Sequence, residues 1–118
     1  MEEEDKYQLH AEWRRLTAKL EELVGKKPKD LNAVLFIIGV QELGKGPLNF
    51  SKEEKQDIIH IAICRIFEAE GYYTFIDRDE EGWPHYELKK ALPHKNIVEQ
   101  VSFMRKRILD YFSQIEVI

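Results

Sequence analysis

Cysteine is almost missing from this chain: Cys64 stands alone among 118 residues. A single thiol forms no internal disulfide and cannot build a four-thiolate metal site. Long apolar runs are missing too. The longest, Ala33–Val40, falls well short of the ~20 residues a spanning helix needs. The first residues, Met1-Glu2-Glu3-Glu4-Asp5, lack the basic and apolar regions of a secretory signal. Cytoplasmic residence, with no membrane association, is the expectation. Charge of either sign is not in large excess. A net charge of -4 and a pI near 5.6 give no general attraction to phosphate backbones or anionic lipids. There is no internal repeat and no low-complexity tract.

What is present is enough for a core. The chain is 43% hydrophobic, 34% charged and 11% aromatic, too aromatic for a disordered tail. A folded chain of this length hides roughly two-thirds of the surface that its unfolded form exposes. The expectation is one domain over 1–118, with residues 1–6 disordered.

Four segments read as helices. Leu9, Trp13, Leu16, Leu20 and Leu23 recur every three or four residues, a narrow apolar stripe on a charged helix that ends near Gly25. Asp30 and Gly44 bracket a second segment, in which Leu31, Val34–Ile38, Val40 and Leu43 leave almost no polar face. Its β-branched content allows a buried strand, but the caps favour a central buried helix. Gly39 inside it weakens the helix and suits close approach by another backbone. Leu48 and Phe50, in the connector after Gly44, are expected to tuck beneath it.

Ser51 and Glu54 make a capping box before the third helix, and Gly71 stands where a left-handed stop belongs. With Gly71 at that position, Phe67 and Tyr72 become the pair whose side chains usually touch. Ile58, Ile59, Ala62, Ile63, Ile66 and Phe67 fill one half of this helix, while Asp57, His60, Cys64 and Glu68 fill the other, expected to be wet or to face a partner. Tyr72–Ile76 and Trp83–Leu88 flank the polar turn Asp77–Gly82 as a hairpin. Pro84 confines the return strand to an edge. Pro93 breaks the chain, and Asn96 with Glu99 opens a last helix striped by Ile97, Val101, Met104, Ile108, Leu109, Phe112 and Ile115. The fold expected is mainly α (α+β): a bundle of four helices with one β-hairpin between the third and fourth.

The order α-α-α-β-β-α resembles a winged helix, whose third helix would read DNA, and the resemblance covers about Asp30–Leu88. That resemblance is topological and implies little about function. The helix begins Ser51-Lys52-Glu53-Glu54 and the hairpin tip reads Asp77-Arg78-Asp79-Glu80-Glu81, an acidic face that argues against nucleic acid. Asp77-x-Asp79-x-Glu81-Gly82 copies the opening of a calcium loop, but Leu88 occupies the twelfth position. His60 and Cys64 share a helix face, and with His85 and His94 they make a conceivable zinc set without a compact motif. No metal or other cofactor is expected. For acid–base chemistry the candidates are Glu42, His60, His85 and His94, of which Glu42 ends an otherwise apolar helix. Its simpler reading is a side chain reaching solvent at the last turn.

Trp83-Pro84-His85-Tyr86 reads as an aromatic edge fit to contact another protein, with the alternative that Trp83 folds into the core. The stretches Ile38–Gly46, Phe50–Gln56, Gly71-Tyr72-Tyr73, Gly82–His85 and Leu92-Pro93-His94 together resemble a group of small bacterial proteins with no assigned activity. The resemblance implies no catalytic residue, cofactor or partner. The functional expectation is a non-enzymatic interaction or regulatory protein, homodimeric through its striped terminal helices or bound to another protein. A winged-helix nucleic-acid binder and a small enzyme using Glu42 with a histidine are the alternatives.

Overall fold

Three of the helix starts follow capping chemistry. The computed structural model describes residues 3–45, 49–93 and 96–118. Its elements are α1 (Glu3–Val24), α2 (Leu31–Leu43), α3 (Lys52–Glu68), β1 (Tyr73–Arg78), β2 (Pro84–Leu88) and α4 (Ile97–Gln114). The protein is thus mainly helical, with an antiparallel two-stranded hairpin between the third and fourth helices. Asp30 accepts the Ala33 N–H at 2.8 Å, Ser51 and Glu54 exchange both capping-box bonds, and Asn96 accepts the Glu99 N–H at 2.9 Å. Each satisfies backbone donors that a helix start leaves unpaired. α1 begins at Glu3, so residues 3–6 are helical where disorder is expected. No helix of the described residues is long and apolar enough to cross a membrane.

Contacts group the chain into two compact units, a finer division than one domain, with residues 30–93 forming one and the two terminal stretches the other. In the terminal unit α1 packs on α4. The Arg105 guanidinium lies 5.0 Å from the Trp13 ring centre, and Leu9 shares a shallow concavity with Leu109. These two pairings run in opposite chain directions, so the helices are antiparallel. Leu9, Trp13, Leu16, Leu20, Ile108, Leu109 and Phe112 are buried within the single chain. The seams stay exposed only toward their ends, at Leu23 and Val24 on α1, Ile97 and Val98 on α4, and Ile115 just beyond it.

In the central unit, Val34–Val40 is helical as part of α2. One side of α2 is fully buried through Val34, Leu35, Ile38, Gly39 and Leu43, whereas Phe36, Ile37 and Val40 are half-buried. Phe50 packs edge-on against Phe36 with ring centres 6.2 Å apart. Leu48 lies outside the described residues.

The close approach expected at Gly39 is with α3. A Cβ there would stand 2.1 Å from the Ile58 carbonyl oxygen and 2.4 Å from Ile58 Cγ2. Helix α3 then ends as its sequence dictates. Gly71 takes φ +82, Tyr72 N–H reaches the Phe67 carbonyl at 3.2 Å, Gly71 N–H reaches Glu68 at 2.9 Å, and the Phe67 and Tyr72 rings meet edge-on.

Gly39→Ala adds a helix-favouring methyl worth up to about 1 kcal/mol, but it drives that methyl into backbone. Overpacking of this kind costs about 1–3 kcal/mol or more. Urea unfolding of the variant is expected to show a lower midpoint; an unchanged or higher one contradicts the contact.

Candidate functional site

The Schellman stop at Gly71 turns the chain straight into β1, so the hairpin comes back beside the helix it has just left. Tyr73 pairs with Leu88 and Phe75 with Tyr86, which places these four on one face, as alternation predicts. Between Phe75 and Asp77 the register slips by one residue. Ile76 is the extra residue, and the slip sets Asp77 opposite His85 and Arg78 opposite Pro84. Helix α3 packs against both strands. Cys64, expected on the wet half of α3, is therefore buried at 2% exposure. His60, one turn earlier, stays exposed and sits edge-on to Tyr73 at 6.1 Å.

The tip of the hairpin is organised by one carboxylate. Asp79 Oδ1 accepts the N–H groups of Glu81 (3.0 Å) and Trp83 (2.9 Å), and Oδ2 lies 2.9 Å from His85 Nε2. The Asp79 N–H donates to the Trp83 carbonyl and the Gly82 N–H to the Asp79 carbonyl, with Gly82 at φ +89. This is a three-residue loop, Glu80-Glu81-Gly82, ending in a left-handed glycine. The bonds from His85 and the Trp83 N–H hold the Asp79 carboxyl below its usual range. Its sequence resemblance to a calcium loop thus has a different structural expression: the carboxylate is turned onto its own backbone. Among the described residues no three His, Cys, Asp or Glu side chains converge to hold a metal ion.

A second anchor ties the hairpin to α2. Arg78 Nη2 donates to the Glu42 carbonyl at 2.7 Å, and Nη1 to the carbonyls of Leu43 (3.2 Å) and Gly82 (2.8 Å). A cation on the last carbonyls of a helix is favourable twice, through hydrogen bonds and through the dipole. Sequence reasoning missed this residue. Its signal, an arginine inside an acidic turn, was visible but had no predicted partner.

Between α3 and the hairpin lies an open cleft of about 740 Å³, lined by Glu54, Asp57, His60, Ile61 and Cys64 on one side and by Asp79–Glu81 and Trp83–Tyr86 on the other. The sequence candidates converge here: His60, Cys64, Trp83, His85 and Tyr86 all border it. Trp83 and Tyr86 are half-buried. Glu42 is not on the cleft wall. It pairs with Arg65 at 3.2 Å, and Arg65 also stands 3.8 Å from Glu68. His94 lies outside the described residues.

Cys64 Sγ and His60 Nε2 are 3.5 Å apart, yet burial pushes the thiol up to about 11 against the partial opposition of a backbone hydrogen bond. Burial, followed by the negative charges of Glu68 and Glu42, pushes the Tyr86 hydroxyl up to about 12. Both groups favour the neutral form. Raised folded-state values mean that their contribution to stability is complete below the unfolded values. It is lost as pH rises from about 9 through 11 for Cys64 and from about 10 through 12 for Tyr86. At pH 8 the folded chain is expected to react with iodoacetamide about 100-fold more slowly than the urea-unfolded chain, since thiolate is the nucleophile. Equal rates, followed by mass spectrometry, contradict the burial of Cys64.

No protein-family model, curated protein or solved structure matches this chain.

Proposed function

We propose that this protein is a non-enzymatic interaction module whose binding surface is the cleft between α3 and the hairpin. One observation carries the reading: the aromatic edge Trp83-Pro84-His85-Tyr86 borders a concavity that also gathers His60, Cys64 and Ile61. Half-buried aromatic side chains at the wall of a groove are what protein recognition uses as anchors, because they bury large area at low entropic cost. The volume lies within the range that ligand-binding clefts occupy.

The rival readings draw less support from the same geometry. A buried thiol raised to about 11 is a poor nucleophile at neutral pH. The carboxylate of Glu42 is engaged by Arg65 and does not border the cleft with His60 or His85. Glu54 and Asp57 on α3, with Glu80 and Glu81 at the hairpin tip, repel a phosphate backbone where a winged helix would meet one. A homodimer through the terminal seams rests on the exposed Leu23, Val24, Ile97 and Val98, since the middle of each seam is buried in one chain.

Panning a random peptide library on the intact protein tests the module directly. Peptides are expected to be enriched on the wild type and lost on Trp83→Ala. Their binding is expected to move the amide resonances of α3 and of 79–86. Enrichment that survives the substitution, or shifts confined to other elements, contradicts the proposal.

A further inference from the structure

The cleft has a composition that selects among peptides. Ile61, Trp83, Pro84 and Tyr86 supply an apolar wall. Around it stand five carboxylates, Asp57, Glu80 and Glu81 together with Glu54, which also accepts the Ser51 N–H, and Asp79, which also holds the turn, and no lysine or arginine is among the described lining residues. Two cations stand near the turn. Arg78 is spent on the carbonyls of Glu42, Leu43 and Gly82, and the Lys45 stem lies against Gly82, its Cε 3.5 Å from where a Cβ would sit. Neither borders the cleft. The carboxylates come from two elements that face each other, α3 and the hairpin turn, so a chain lying in the groove meets negative charge on both sides.

We infer that the occupant of this cleft is a basic segment of a partner protein, a short stretch of chain carrying arginine or lysine beside an apolar side chain. The inference rests on the interaction-module reading and names the chemistry of its partner. Opposed carboxylates lining a concave groove attract a guanidinium more strongly than the same charges do on flat surface. Trp83 and Tyr86 border the same cleft, and a cation that stacks on an aromatic ring there gains beyond the ionic attraction. Arginine fits better than lysine, because its planar fork can both stack on an aromatic ring and bond a carboxylate with two N–H groups. The chain uses this chemistry within its own fold, where Arg105 lies over Trp13 and Lys90 stands 4.5 Å from the Tyr72 ring centre. The apolar wall requires the occupant to bring hydrophobic surface too, which a free polyamine lacks and a peptide supplies.

The test uses the intact protein and fluorescein-labelled peptides from the panning experiment, each made also with every arginine replaced by citrulline, which keeps the shape and removes the charge. Fluorescence anisotropy is expected to show citrulline peptides binding at least about tenfold more weakly. Arginine peptides are expected to weaken as NaCl rises from 50 to 300 mM, as the screening length shortens. The double variant Glu80→Gln, Glu81→Gln changes two exposed tip residues whose side chains hold no turn hydrogen bond among those described. It is expected to lose affinity about three- to tenfold at unchanged melting temperature. Selected peptides that are neutral or acidic, or citrulline peptides that bind as well as their parents, overturn the basic-segment inference while the module reading stands. Peptides that bind without touching the cleft overturn both. Spermine displacing the arginine peptide at equal concentration points to cation binding without peptide recognition and overturns the inference as stated.

Discussion

The guanidinium of Arg78 is the contact on which the candidate site depends. It gathers the last two carbonyls of α2 and the carbonyl of Gly82, tying a helix end to the loop of the hairpin. An isolated two-stranded hairpin is marginal in water, and β1 is exposed along most of its length. Without a tether at its tip, only the packing of the strands on α3 would hold it. The tether matters because the far wall of the cleft is the tip itself, Asp79–Glu81 and Trp83–Tyr86. Asp79 then freezes the loop internally by accepting two backbone N–H groups and meeting His85. Arg78 places the tip, and Asp79 shapes it.

Helix α3 is the other fixed point, and it is held from two sides. Ile58 sits against Gly39 of α2 at a distance that admits no side chain. On its other side Cys64 is buried where the hairpin packs, and His60 meets Tyr73. The ion pairs of Arg65 with Glu42 and Glu68 add a polar link from the end of α2 to α3. Exposed pairs of this kind are worth little, but Arg65 and Glu42 are about three-quarters buried and Glu68 about two-thirds. The result is a rigid helix carrying Glu54, Asp57 and His60 at fixed spacing toward the cleft.

Much of this fold was legible from local signals. Asp30, Ser51 with Glu54, and Asn96 with Glu99 mark helix starts because their side chains complete hydrogen bonds that only a helix start leaves open. Gly44 and Gly71 mark stops because both take positive φ. The aromatic edge drew attention for the composition that places it on the cleft. What escaped was non-local. The slip at Ile76 has no unique local signature, since two consecutive apolar residues such as Phe75 and Ile76 occur in regular strands as well as in bulges. Arg78 and Glu42 lie 36 residues apart, and Arg65 gives no sign in sequence that it will meet Glu42. Cys64 falls on a half of α3 expected to be wet or to face a partner, because a helix wheel cannot show a hairpin of the same chain packing on its second face. The helical start at Glu3 also escaped, since composition alone does not distinguish a charged tail from a charged first turn.

The most direct measurement is amide hydrogen exchange on Arg78→Met, which keeps the length of the side chain and removes its donors. If Arg78 holds the hairpin over α3, amides of Tyr73–Leu88 exchange about tenfold faster or more, in keeping with loss of charge-assisted bonds. Amides in the middle of α2 and α3 keep their protection. Hairpin exchange identical to wild type, or a uniform loss across α2, α3 and the hairpin alike, contradicts the tether.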